Sequence, residues 1–124
     1  MSADSERLVR DFCATWRKKN LDAIMAFLSD ECVHHNMPIK PLVGKTAVRE
    51  FVADFISRWD TIEFEIQHLA SGGDVVMTER IDRFARAGKS FELPVAGVFE
   101  IAHGRIVAWR DYWDLETWKA RVVG

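Results

Sequence analysis

The sequence predicts an α+β fold in which N-terminal helices pack on one face of a curved, largely antiparallel sheet. Apolar residues recur at helical spacing up to residue 59, and from residue 61 the period changes to two. Short turn signals separate the alternating segments, so consecutive strands are expected to pair. Five Trp and eight Phe against one Tyr point to a bulky apolar interior or a deep apolar pocket. A chain of 124 residues has the size of one domain, taken here as 1–124, and buries roughly 65–70% of its unfolded surface.

Leu8, Val9, Phe12, Cys13 and Trp16 mark the first helix over residues 5–19, with Asp4 or Ser5 as its cap and Asn20 at its end. "LDAIMAFL" repeats the pattern with Leu21, Ile24, Met25 and Leu28, a shorter helix for which Asn20 can serve as N-cap. "ECVHHNMP" reads as a short strand running into a loop at Pro38, and "PLVGK" as a turn. Val48, Phe51, Val52, Phe55, Ile56 and Trp59 give a third amphipathic helix over residues 46–59.

In the second half, Ile62, Phe64 and Ile66 share one face of "TIEFEIQHLA", and "SGGD" signals a hairpin turn. "VVMTERIDRF" is the next strand, followed by "ARAGKS" as a looser turn and by the strand "FELPVAGVFEIA". Pro94 and Gly97 inside that strand suggest a bulge or bend. "HGR" turns into the last strand, "IVAWRDYWD", and Asp114 can cap a short final helix, "LETWKARV".

The net charge of −2, with no basic stripe, argues against nucleic acid and anionic membrane as partners. No apolar run is long enough to span a bilayer and no leader pattern opens the chain, so a cytoplasmic location is expected. Cys13 and Cys32 lack CxxC spacing and read as free, buried thiols. "VGKT" (43–46) has Ile39 where a phosphate loop needs Gly, and no Ser or Cys sits in a nucleophile elbow. The His34-His35 pair lacks the further ligands of a metal site, so no metal is expected. His68 and His103 read as strand and turn residues with nothing beside them.

The informative conflict is in "TERIDRF". As a strand it puts Val76, Thr78, Arg80, Asp82 and Phe84 on one face, so charges stand among apolar neighbours. In the last strand Val107, Trp109, Asp111 and Trp113 share a face, with Ile106, Ala108, Arg110 and Tyr112 opposite. Leu93, Val95, Gly97, Phe99 and Ile101 form the apolar face of the strand between. If the pocket is lined by the most apolar face of each strand, it receives Arg80, Asp82 and Asp111 together. An isolated buried carboxylate is strongly disfavoured, but two carboxylates around an Arg are tolerable. Such a cluster is either a structural ion-pair network or an acid–base pair whose environments push two carboxyl pKa values apart. On the strand before Pro38, His34 and Asn36 point one way and His35 the other.

Arg80-Ile-Asp82, the later "GVF", "GRI" leading into "WRDYWD", and Asn36-Met37-Pro38 together resemble the limonene-1,2-epoxide hydrolases, within the broader NTF2-like and SnoaL-like superfamily. The resemblance implies a cone-shaped, usually homodimeric α+β fold and a one-step opening of a small apolar epoxide to a vicinal diol, without a cofactor. It implies Asp111 as the base that activates water, Asp82 as the acid, Arg80 as the bridge between them, and Asn36 as a water ligand. Phe84, Leu93, Val95 and Trp113 would shape the apolar pocket. The family usually carries Tyr two residues before the Asn, where this chain has His34. A neutral imidazole can hold the same water, and an ordinary one would add a titration near neutral pH. Relatives of the same fold include polyketide cyclases and ketosteroid isomerases, so a proton-transfer enzyme and a non-catalytic binding module are the competing readings.

Overall fold

The structure, a computed structural model, describes residues 2–123. Helix α1 (Ser2–Thr15) runs into a single 3-10 turn, Trp16–Lys18, and Lys19 ends it in the left-handed conformation (φ 54°). Because α1 begins at Ser2, Asp4 and Ser5 lie inside its first turn and do not cap it. Asn20 caps α2 (Leu21–Met25), its Oδ1 accepting the Ala23 N–H at 3.1 Å. This helix stops three residues before Leu28, which opens strand β1 (Leu28–Asn36) and is fully enclosed there. A two-residue strand, β2 (Leu42–Val43), replaces the expected turn by pairing with β1, and α3 (Lys45–Ser57) follows.

The remaining strands are β3 (Thr61–Gly72), β4 (Val75–Arg86), β5 (Lys89–Ala102) and β6 (Arg105–Tyr112), and their antiparallel meander is as predicted. The order across the sheet is β2-β1-β6-β5-β4-β3. The first strand therefore joins β6 in parallel, setting His34 beside Trp109 and Asn36 beside Asp111. The chain ends in α4 (Leu115–Trp118), capped by the Asp114 carboxylate at 2.8 Å from the Thr117 N–H, and one wider turn, Lys119–Val123. No helix among the described residues is long and apolar enough to cross a membrane.

The helices cover one face of the sheet and bury their apolar stripes against it. An aromatic cluster joins the layers: the Phe12 ring of α1 stands edge-on to Trp109 of β6 at 5.1 Å, and Trp16 lies 4.7 Å from Phe64 of β3. Such pairs contribute about 0.5–1.5 kcal/mol each beyond the area they bury.

Three local expectations are corrected. The loop after β4 is tight, not loose: Ala87 and Gly88 both have positive φ (52° and 78°), the pair a two-residue hairpin turn needs. In β6, Ile106 is wholly buried rather than facing away from Asp111. The pairing shifts between Glu100↔Ala108 and Ile101↔Ile106, so Val107 is an extra residue and the alternation changes face there. In β5, neither Pro94 nor Gly97 makes a bulge: the ladder with β4 runs through Ile81↔Pro94 and Thr78↔Gly97 without a shift. Pro94 lies beyond the Ala96↔Tyr112 end of the β6 ladder, where a missing N–H loses no partner.

Gly97 has a different reason. A Cβ there would collide with Arg80 Nη1 and stand 2.8 Å from Thr78 Oγ1 and 3.0 Å from Asp111 Oδ1. The Arg80 guanidinium cannot retreat, since it has no exposure and bonds on every side. Gly97→Ala is expected to cost about 1–3 kcal/mol, as overpacking of a filled interior does, read by urea unfolding monitored by Trp fluorescence. Unchanged stability would mean that Arg80 has room to move.

Candidate functional site

Strand β4 alternates strictly. Val76, Thr78, Arg80, Asp82 and Phe84 are buried, while Val75, Met77 and Glu79 are exposed. Neighbouring strands complete the row: Thr78 lies opposite Gly97, and Gly97 opposite Asp111. The missing Gly97 side chain leaves a gap in the middle strand, and the Arg80 guanidinium crosses it to reach β6.

All five guanidinium N–H groups are used. Nε donates to Asp82 Oδ1 at 2.9 Å and Nη2 to Asp82 Oδ2 at 3.0 Å. Nη1 and Nη2 donate to the two oxygens of Asp111, both at 3.2 Å, and Nη1 also to Thr78 Oγ1 at 3.2 Å. The Phe64 ring lies 5.2 Å from Cζ. Burial opposes the Arg80 charge, but Asp111 and Asp82 outweigh it and hold the guanidinium firmly protonated. Asp82 behaves differently. Burial pushes its carboxyl up to about 6, and the nearby Asp111 charge adds to the rise against the pull of Arg80.

The two carboxylates close the polar end of a cavity of about 130 Å3 whose wall is otherwise mostly apolar. Phe84, Leu93, Val95 and Trp113 line it, together with Phe51 and Phe55 of α3 and Trp118 of α4. His34 and Asn36 line it too, delivered by the parallel seat of β1 beside β6. Arg80 is absent from the lining and acts on the cavity only through the carboxylates it holds. Cys13 is a free thiol near the cluster, pushed up to about 12 by burial, and so is no nucleophile. Among the described residues no group of three His, Cys, Asp or Glu is arranged to hold a metal ion.

Two expectations about histidines change. His34 does not titrate near neutrality: burial, the dominant effect, pulls it down to about 4 despite the Asp111 charge, and the imidazole stays neutral. His68 is not isolated, since its Nδ1 lies 2.8 Å from Glu79 Oε1 on the exposed face. His35 points away from the cavity, with Nε2 2.9 Å from the Ile39 carbonyl. Sequence reasoning missed the cavity rings of Phe51, Phe55 and Trp118 and, in the cluster, Thr78, which takes the fifth guanidinium bond, and Gly97. A Gly inside a strand is a signal of close approach as much as of a bulge, and here it is the former.

Residues 9–109 match the model of the SnoaL-like domain. The chain is 29% identical over 107 residues to the epoxide hydrolase EphG of Mycobacterium tuberculosis, covering 86% of this chain and 71% of that protein. The structure of an LEH-like epoxide hydrolase from M. tuberculosis superposes with a TM-score of 0.86 at 27% identity, over 99% of this chain and 92% of the other. SalBIII, an epoxide hydrolase/cyclase-like enzyme of pyran ring formation in salinomycin, shares the fold at TM-score 0.81 and 16% identity, covering 91% and 92% of the two chains. With helices closing one face of a curved mixed sheet into an NTF2-like cone, and with most of its length matched, the chain belongs to the SnoaL-like domain family.

Proposed function

We propose that the chain is a cofactor-independent epoxide hydrolase that adds water in one step to a small apolar epoxide, giving a vicinal diol. One observation carries this reading: a single guanidinium grips two carboxylates at the polar end of an apolar cavity, and one of the two is raised to about 6. The resemblance in sequence and structure to mycobacterial epoxide hydrolases supports it.

In this reading Asp111 takes a proton from water as the water oxygen attacks a ring carbon. The C–O bond of the strained ring breaks, and Asp82 delivers its proton to the departing alkoxide oxygen, so no free alkoxide forms. One proton enters the cluster at Asp111 and one leaves at Asp82. Resetting the pair moves a proton from Asp111 back to Asp82 and consumes nothing else. Arg80 keeps its charge throughout and holds both carboxyl groups in place. Asn36 fixes the water, which removes part of the entropic cost of attack. Phe84, Leu93, Val95 and Trp113 pack on the substrate carbons. A homodimer belongs to the same reading. It rests on the family resemblance and on the exposed apolar Val75 and Met77 of the outer face of β4.

Incubation with a panel of cyclic and aryl epoxides is expected to give diols. In a single turnover in 18O-water the label appears in the diol at once, because no ester forms on the protein. A first-turnover diol carrying unlabelled carboxylate oxygen would instead indicate attack by Asp111 itself. Deuterium exchange into a ketone substrate, with no epoxide opened, would favour the proton-transfer reading.

Asp111→Asn is expected to lower kcat by about 10²–10⁴-fold, the usual contribution of a positioned base, while circular dichroism shows the fold retained. An active variant would remove Asp111 as the base.

The pH dependence follows from Asp82. An acid must carry its proton, and this carboxyl loses it near pH 6. The limb of kcat/KM governed by Asp82 therefore falls as pH rises through about 6, and a profile from pH 5 to 9 checks it. A rise across that range would assign Asp82 a role as a base.

A further inference from the structure

We propose that His34 and Trp113 are positioning residues that act through Asn36, fixing which end of its amide faces the nucleophilic water, and that neither one holds that water. The consequence rests on the epoxide-hydrolase reading, whereas the fixed amide rests on geometry alone.

Three hydrogen bonds run in one line across the end of the cavity. Trp113 Nε1 donates to Asn36 Oδ1 at 3.0 Å, Asn36 Nδ2 lies 3.2 Å from His34 Nε2, and His34 Nδ1 lies 3.1 Å from the Trp109 carbonyl. Both ends of the line have a single possible role. An indole N–H only donates and a carbonyl oxygen only accepts. The carbonyl must therefore receive the proton of His34 Nδ1, which leaves Nε2 as a bare lone pair in the neutral ring. The group facing that lone pair must be the amide NH2, and the group facing the indole must be the amide oxygen. Reversing the amide would set N–H against N–H at one end and lone pair against lone pair at the other.

The imidazole cannot rotate to escape this. It stacks on Trp109 with ring centroids 3.5 Å apart and planes 20° apart, and Phe51 stands 5.4 Å away. It is buried, and it stays neutral as the line requires. Both ring nitrogens are taken, so His34 has nothing left for a water.

What remains free is the second lone pair of Asn36 Oδ1 and the second hydrogen of Nδ2. Strand pairing puts Asn36 beside Asp111, and the Met37 N–H binds the Asp111 carbonyl at 2.9 Å. A water between the two side chains gives one hydrogen to Asp111 and the other to Oδ1, leaving its own lone pairs for the ring carbon. A reversed amide would present NH2 instead and donate into the lone pair that must attack. Trp113 thus has two duties, as apolar wall and as the donor that sets this polarity.

Kinetics and spectroscopy test this separately. Trp113→Phe keeps an apolar ring and deletes the indole N–H, and His34→Phe keeps a flat ring on Trp109 and deletes both nitrogens. Each is expected to lower kcat about tenfold with KM within about twofold. Combined with Asn36→Ala, neither lowers kcat further than Asn36→Ala alone, because both act through the amide. Full additive losses in that background would overturn the proposal, since they would mean direct contact with the water or a general structural role. Independently of turnover, long-range 1H–15N correlation of the His34 ring at pH 7 is expected to show hydrogen on Nδ1 and none on Nε2. A hydrogen on Nε2 would overturn the fixed amide. If no epoxide is opened by the unaltered protein, the functional reading fails while the spectrum still decides the polarity of Asn36.

Discussion

A guanidinium sealed from solvent is the constraint on which the rest of the site depends. Removing an ion from water costs several kcal/mol even after relaxation, and leaving any of its N–H groups unpaired costs more. The protein meets both demands at Arg80 by surrounding it with Asp82, Asp111 and Thr78 until each N–H has an acceptor. That solution has a chemical consequence. One positive charge faces two carboxyl groups, so the cluster is neutral only when one of them keeps its proton. Burial favours the neutral state, and it raises the Asp82 carboxyl above the usual carboxylate range. The packing of Arg80 and the raised Asp82 carboxyl therefore have one cause.

Holding the cluster together takes the whole sheet. Arg80 and Asp82 sit on β4 and Asp111 on β6, with β5 between them, so the guanidinium must pass over a strand. Gly97 makes the passage, and the bulge that buries both Ile106 and Trp109 keeps Asp111 on the same face. The parallel pairing of β1 with β6 then brings Asn36 level with Asp111. Three distant parts of the chain thus meet at one end of the cavity, and a one-residue slip in any of these ladders would turn a polar group to the outer face.

Much of this was legible in the sequence, and the parts that were not share a reason. The β4 alternation showed Arg80 and Asp82 on one inward face, and the Trp-x-Asp-x-Trp spacing of β6 showed Asp111 with them. Both are properties of a single strand with period two. The seat of β1, the two-residue β2 and the shift at Ile106 depend on pairings between residues far apart, which local periodicity does not encode. Gly97 carried an ambiguous signal, since a Gly in a strand fits a bulge and a close approach equally well. His34 was the subtler case. Its residue type suggested a titrating water ligand, but only three-dimensional partners show that both nitrogens are occupied and that burial holds the ring neutral.

The aromatic wall bears on the chemistry as much as on recognition. Rings from α3, α4 and the sheet surround the carboxylates and leave little polar surface near them. In so apolar a space the field of each charge is weakly screened, so Arg80 orients its partners strongly and Asp82 holds its proton more tightly. An apolar substrate that fills the cavity displaces water from the same space and strengthens both effects. Under the proposed activity, affinity for a hydrocarbon skeleton and the acidity needed to open its epoxide then rise together, which a polar pocket around the same carboxylates would not achieve. Asn36 is the exception that shows the rule. Its amide is partnered by an indole and an imidazole, so that even the polar corner of the cavity is anchored by rings.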